Sequence, residues 1–441
     1  MVLGKSTFTV LLISLLFVSH LNSQIIPLDK FDYIILQRLY DKGELYYPDY
    51  FLKPFNFLFA VIDTSNKDSE TDFIIGYLSK RWNLNKRILI FNPDFQLKAM
   101  NFKNPESYIR FRTDLNLYGK VSNFVFGART RFDTDGLFDP DYRGKSVNII
   151  NNKEYRFSAF HDLAYIGYQQ KLIDIIFGKF KIQYGPGETG QMLISSNPPS
   201  FNLIMYKIKI EASNYPKFYF SSLFAQLDNS TYEGKNFYRT LYFQSYNLTF
   251  KNFSVGIGQT SIFADNFFSF RFNYFAPFIS FFGERENNSL NNSDNLLYSL
   301  FFSYDNTSYR IYCEFLVDDI SYDFKLPQKI GFLFGLKFPR LFKHYAFSVE
   351  YVRINRFTYA YNLGSGAELK ENEVMLRYVF YGRKDDFQHG SMIGHWLGPD
   401  ADLIQFNFFR YFGKGFFGLL KLIFQRKGEG NILEPTQPQF P

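Results

Sequence analysis

The sequence is poor in residues that mark several protein classes. Cys313 is its only cysteine in 441 residues, so an intramolecular disulfide framework is excluded. Tryptophan occurs twice, and lysine and arginine lie scattered among aspartate and glutamate. The formal net charge is +7, yet there is no basic run and no aromatic-basic module, which excludes nucleic acid as a partner. No apolar stretch reaches the roughly 18 residues that a membrane-spanning helix requires. The first 23 residues, MVLGKSTFTVLLISLLFVSHLNS, carry Lys5, an apolar run from Phe8 to Val18 and a polar end at Ser23. That order is expected of a secretory signal peptide over residues 1–23.

What is abundant is aromatic. The chain has 57 Phe and 33 Tyr, and aromatics make up 21% of it, yet the mean hydropathy is only −0.20. Rings that alternate with polar residues describe strands with one greasy and one wet face.

Residues 24–86 read differently from the rest. LDKFDYIILQRLYDKG places Phe31, Ile34, Ile35 and Leu39 on one helical stripe, with Asp29 to cap its start and Gly43 its end. DSETDFIIGYLSKRW offers another helical face through Phe73, Ile74, Tyr77 and Leu78. The expectation is a small helical region that serves as a cap or plug.

From about residue 87 the period becomes two. In YIRFRTDLNLY, Ile109, Phe111, Leu115 and Leu117 oppose Arg110, Arg112, Asp114 and Asn116. In SYRIYCEFLVDD, Ile311, Cys313, Phe315 and Val317 oppose Tyr312, Glu314 and Asp318. In HYAFSVEYV, Tyr345, Phe347, Val349 and Tyr351 oppose Ser348 and Glu350. FSFRFNYF, residues 268–275, alternates in the same way, with Arg271 on its polar side, and residues 261–294 around it read either as a further strand or as mostly loop. About sixteen to eighteen such segments of about ten residues follow one another, the length a tilted strand needs to cross a bilayer.

Charges on so many strands decide the architecture. In a soluble sandwich each isolated inward charge would cost several kcal/mol. In a large barrel in lipid the apolar face meets hydrocarbon and the charged face meets the lumen. The expected fold is therefore all-β: a transmembrane antiparallel β-barrel of about 16–18 strands in the cell outer membrane, with a small N-terminal periplasmic helical region. Its parts are expected at residues 1–23 (leader), 24–86 (helical region), 87–426 (barrel) and 427–441 (tail). Connections near Gln170, Asn214 and Lys251 are short, as periplasmic turns are. Those at 133–153, 184–202, 228–236 and 382–400 are long, as extracellular loops are.

Two long connections carry distinctive residues. QYGPGETGQMLISSNPPSFN is rich in glycine, but it joins two strands, lacks lysine and holds Pro186, Pro198 and Pro199, so it is no phosphate cradle. Gly185, Pro186 and Gly187 punctuate a loop that must hold a shape. In MIGHWLGPDADLI, Gly398 and Pro399 act alike. His395 beside Trp396 has no companions at metal-ligand spacing, so packing is expected of it, and neither a metal nor a cofactor is expected.

These segments resemble the Wzi family of capsule assembly proteins. The resemblance rests on FGKFKIQYGPGETGQMLISSNPPSFNLI, CEFLVDDI, VEYVRINRFTYAYN and GHWLGPDADLI, with FDYIILQRLYDKGEL similar to the family's leading helix. It implies an outer-membrane barrel with a periplasmic helical element. It also implies a lectin-like, non-enzymatic role in assembling or attaching capsular or other surface polysaccharide. The alternative is a porin that conducts small solutes or sugars.

Sugar recognition needs flat rings and planar polar groups. The long loops supply Tyr142 and Arg143 in FDPDYRGK, near Asp139 and Asp141, then Ser195, Ser196 and Asn197, and then Trp396 and Asp400. Basic lumen residues such as Arg110, Arg112 and Arg271 would attract an acidic glycan. Beyond the lipid bilayer and the polysaccharide no partner is expected, and the barrel is read as a monomer. No hydrolase constellation is legible: Ser158 and His161 lie on opposite faces of one strand.

Overall fold

The computed structural model describes residues 38–39, 42, 45–46, 52–53, 61–62, 70, 73–74, 90–100, 108–133, 148–151, 156–211, 216–232, 234–287, 294–306, 308–319, 328–342, 345–361, 374–381, 390–413, 416–430 and 432. The leader expected at 1–23 lies outside them.

Its dominant feature is one sixteen-stranded antiparallel sheet. The path through it follows chain order. It runs through β1 (Ile90–Met100), β2 (Tyr108–Val121), β3 (Phe124–Asp133), β4 (Arg156–Gln169) and β5 (Ile173–Phe180). It continues through β6 (Phe201–Glu211), β7 (Lys217–Tyr232), β8 (Lys235–Thr249), β9 (Phe253–Asp265) and β10 (Asp294–Asp305). It ends with β11 (Arg310–Asp319), β12 (Lys329–Phe342), β13 (Tyr345–Ile354), β14 (Ala401–Gly413) and β15 (Phe416–Lys427). A short strand, Asn148–Asn151, pairs with β4 off this path.

Turns are tight on one side of the sheet. Ser122, at φ 54°, turns β2 into β3, and Phe250 N–H bonds Phe253 O across the β8–β9 turn. On the other side most connections are long. The β7–β8 connection is an exception to the expected long loop at 228–236: β7 runs to Tyr232, β8 starts at Lys235, and Gly234 at φ 79° makes the turn. Small turn residues between two ring-rich strands extend the hairpin there and leave no loop.

The two faces of each strand are chemically distinct. On β11, Tyr312 and Glu314 are buried, while Phe315 is 41% exposed and Cys313 points out with it. Leu300 and Phe334 lie outward at 48% and 49% exposure. The inward charges are paired. Arg129 Nε donates to Asp162 Oδ1 at 2.7 Å, and Arg131 Nε donates to Asp114 Oδ1 at 2.9 Å. The sheet curls around one connection, because residues 184–193 touch Asn247 of β8, Glu314 of β11 and Glu350 of β13. Near the tight-turn end, Arg38 of the N-terminal region donates to Glu70 at 2.8 Å and to Pro339 O of β12 at 2.7 Å. Its guanidinium lies 4.8 Å from the Phe409 ring centroid of β14. Arg38 and the buried Leu39 are helical, and the rest of that predicted stripe is outside the described residues; the region expected to be helical also holds short strands, Leu45–Tyr46 paired with Val61–Ile62 and Leu52–Lys53 paired with Gln183–Tyr184.

Two further expectations are corrected. FSFRFNYF is no strand: after β9 ends at Asp265 the chain forms α1 (Phe272–Phe275) and α2 (Phe281–Asn287). Its alternation is local, whereas its partner is the outer surface of the wall, so Arg271 pairs with Asp265 on that surface and not in the lumen. The connection 184–202 is no outer-surface loop. It folds inward, and Tyr184, Met192, Leu193 and Ile194 are fully buried.

An exposed apolar belt on this scale belongs in lipid. Phe334→Arg should lower the unfolding free energy in liposomes by about 2–4 kcal/mol, whereas a water-facing site would change by at most about 0.5 kcal/mol. Urea titration in phospholipid vesicles reads the difference.

Candidate functional site

Segments that enter from the long-loop side lie inside the barrel, and the wall holds their backbones. The β5–β6 connection enters first. Glu350 accepts from Glu188 N–H at 2.7 Å, Thr189 N–H at 2.8 Å and Tyr312 Oη at 2.7 Å, and also from the Thr189 hydroxyl. Glu314 accepts from Met192 N–H at 3.2 Å, Leu193 N–H at 3.3 Å and Ser299 Oγ at 2.9 Å. N–H and O–H donors offset part of what each carboxyl group loses in leaving water. The glycines allow the approach. Gly185 sits at φ 128°, and a Cβ there would stand 2.6 Å from a Glu314 oxygen.

Glu188 hangs from the tip of this loop. Its carboxylate meets the Lys337 ammonium and accepts from Ser348 Oγ at 2.7 Å and Asn407 Nδ2 at 3.2 Å. Burial opposes its charge, but the Lys337 pair with its hydrogen bond, and the Ser348 bond, outweigh that and bring its pKa from 4.5 down to about 2.

The β13–β14 connection enters beside it. Arg239, fully buried on β8, donates to Met375 O at 2.5 Å, Arg377 O at 2.8 Å and Asp228 Oδ1 at 2.8 Å. Asn295 Nδ2 donates to Leu376 O at 2.9 Å. Acidic wall groups thus take the amides of one segment, and an arginine and an asparagine take the carbonyls of the other.

The two sequence signatures lock to each other. Ser195 N–H bonds Ile393 O at 2.8 Å, Ser195 Oγ donates to Gly394 O at 2.6 Å, and Asn197 Nδ2 donates to Met392 O at 3.0 Å. Lys181 Nζ donates to Ser196 O at 2.9 Å. Trp396 Nε1 donates to Thr189 O at 2.7 Å. His395 is fully buried, and a Cβ on Gly190 would come within 2.8 Å of its ring. Its Nδ1 accepts from Leu397 N–H at 3.2 Å, which leaves the ring proton on Nε2, 3.0 Å from Thr189 Oγ1. Burial lowers its pKa from 6.5 to about 3, so the ring is neutral.

Among the sequence candidates, the structure brings Ser195, Ser196, Asn197, His395 and Trp396 together. Ser195 is buried with its hydroxyl engaged, while Trp396 stays 40% exposed. Asp400, at φ 53°, accepts from Gly430 N–H at 2.8 Å and holds the end of β15; Lys427 Nζ donates to Pro399 O at 2.6 Å beside Gly398 at φ 68°. Tyr142 and Arg143, with Asp139 and Asp141, lie outside the described residues. The lumen clamps Glu314, Glu350, Arg239 and Asn295 were not singled out from sequence as a group. The signal was available: each is polar on the inward face of a central strand.

The family model for the capsule assembly protein Wzi matches residues 113–438, and the chain belongs to that family. It is similar to the solved structure of Wzi from Escherichia coli, described as an outer membrane protein involved in group 1 capsule assembly and a carbohydrate-binding β-barrel. The identity is 12% and the TM-score 0.57, over 92% of this chain and 86% of that one. A Rhodopseudomonas blastica porin mutant aligns with 9% identity and a TM-score of 0.37, over 77% of this chain and 95% of that one. OprB of Pseudomonas putida gives 12% and 0.38, over 76% and 89%. No curated protein matches.

Glu350→Ala strands the amides of Glu188 and Thr189 and the Tyr312 hydroxyl, at about 1–3 kcal/mol for each buried donor left unpaired. Planar-bilayer recordings should then show conductance events that the unaltered protein lacks. Two loop groups contribute to the pH dependence of closure. His395 has its pKa lowered on folding from 6.5 to about 3, so its share of closure is complete above 6.5 and declines as pH falls below that value. Glu188, lowered from 4.5 to about 2, adds its loss only below 4.5. His395→Asn should therefore flatten the rise in conductance between pH 6.5 and 4.5 and leave the later rise in place.

Proposed function

We propose that this Wzi-family barrel attaches or assembles surface polysaccharide at the outer membrane as a lectin-like, non-enzymatic element. The observation that carries the reading is the union of the two signature segments inside the barrel. They spend their polar groups on each other and on the wall, so the lumen is occupied by protein. That arrangement supports a binding surface over a solute channel.

The same geometry supports a role without catalysis. His395 has Nδ1 occupied by Leu397 N–H and Nε2 facing Thr189. Glu188 is neutralised by Lys337. A general base or nucleophile needs a free lone pair aimed at a substrate, and these groups are engaged.

Within this reading Tyr142, Arg143, Ser196, Asn197 and Trp396 are the proposed glycan contacts. Trp396 contributes a half-open ring, and Ser195 and Asp400 act by holding the frame. The monomeric state and the division into leader, periplasmic region 24–86, barrel 87–426 and tail are part of the same proposal.

The test is surface-polysaccharide staining in a deletion strain, complemented by the intact gene or by Trp396→Ala in verified folded form. The intact protein should restore retention. The variant should lose several-fold of it to the medium. Full retention in the deletion strain, or steady porin-scale conductance from the purified protein, would overturn the reading.

A further inference from the structure

Residues 266–287 run down the outside of the barrel. Alternation on β8 fixes the side: Phe243 and Asn247 face Tyr184 in the lumen, so Tyr242, Gln244 and Tyr246 face outward. It is these outward residues that the segment covers. Gln244 Nε2 donates to Ala276 O at 2.6 Å, and Gln259 Nε2 donates to Ile279 O at 2.6 Å. Phe275 O accepts from Tyr206 Oη and Ser222 Oγ, each at 2.9 Å. Tyr242 Oη accepts from Arg271 N–H at 2.6 Å, Gln259 Oε1 from Phe281 N–H at 3.2 Å, and Tyr298 Oη from Phe282 N–H at 3.0 Å.

These wall positions should be apolar in a barrel, yet Ser222, Gln244 and Ser261 are polar and fully buried under the segment. The segment's other side is phenylalanine: Phe267 and Phe272 are 71% exposed, Phe278 57%, and Phe268, Phe270 and Phe282 lie open with them. Its charges gather toward the ends, where Arg271 pairs with Asp265 at 2.6 Å and Arg285 with Glu286 at 3.5 Å.

We infer that residues 266–287 form a re-entrant strap buried in the bilayer, with the acyl chains of the membrane as the partner of its phenylalanine face. The depth supports this. Asp265 stands opposite Tyr238, whereas Phe278 packs 6.3 Å from Tyr246 and 4.7 Å from Phe220, near the tight-turn end. That descent is about 20 Å along the membrane normal at ordinary strand rise and tilt, most of an apolar band about 25 Å tall. Irregular backbone survives in hydrocarbon only when its polar groups find partners, and the outward glutamines, serine and tyrosines supply them for Arg271, Tyr274, Phe275, Ala276, Ile279, Phe281 and Phe282. The strap's ring surface continues the lipid-facing belt through Ile257, Leu300 and Phe302, all open on the same wall.

The experiment places a nitroxide label at Phe278→Cys in a Cys313→Ser background, with Phe302→Cys as wall control, in phosphatidylcholine/phosphatidylglycerol vesicles. The strap label should be relaxed by oxygen and shielded from an aqueous nickel chelate to the same degree as the control. Nickel access at 278 with 302 shielded would overturn the strap alone. Shielding of 278 from both reagents would replace lipid by a protein neighbour, such as a second copy, and overturn it too. Nickel access at 302 would sink the membrane reading and the strap with it. Gln244→Leu with Gln259→Leu, checked for heat-modifiability on gels, should free the strap and raise nickel access at 278 several-fold. An unchanged label in that folded variant would overturn the role of the wall donors.

Discussion

The structure depends on wall carboxylates that accept backbone amides of a segment folded into the barrel. Glu350 and Glu314 sit on β13 and β11, inward and buried, where a bare charge would be costly. Each is tolerable because the β5–β6 connection brings N–H groups to it. The dependence runs both ways, since those amides lie inside the barrel with the wall as their acceptor. Gly185 and Gly190 follow from the same constraint: side chains there would collide with Glu314 and His395. The wall and the plug are thus one unit.

That coupling explains how much could be read in advance. Strand faces were legible, because a period of two is a local property: Glu314 against Cys313 and Phe315 already separates lumen from lipid. The punctuation at Gly185–Gly187 and at Gly398–Pro399 also marked loops of fixed shape. The direction in which those loops fold was not legible. It rests on Thr189 meeting Glu350 and Ser195 meeting Gly394, contacts between residues far apart in the chain that no local pattern encodes.

FSFRFNYF shows the limit from the other side. Its alternation is as regular as that of any strand, yet rings on a lipid-exposed strap and rings on a lipid-exposed strand obey the same solvent. The distinguishing signal lay elsewhere. On β8 and β9 the outward face should be continuous with Ile257 and Leu248, but Gln244, Gln259 and Ser261 interrupt it. Polar residues on a face that meets hydrocarbon require a partner, and the nearby ring-rich connection was the available one.

Both surfaces of the wall therefore follow one rule. Inside, acidic groups hold amides while Arg239 and Asn295 hold carbonyls; outside, glutamines and hydroxyls do both. In each case the wall reads backbone, inside also the Glu188 carboxylate and the Tyr184 hydroxyl, and leaves other side chains of the added segment free to meet the next medium. Outward, those side chains are phenylalanines and the medium is lipid. Inward, the corresponding freedom belongs to Trp396, whose indole N–H is spent on Thr189 O while its ring stays partly open. A ring fixed at its edge and open on its surface is preorganised for flat apolar contact, and a sugar ring offers that contact. The clamps thus do more than close the barrel: they hold the position and angle at which such a ring is presented.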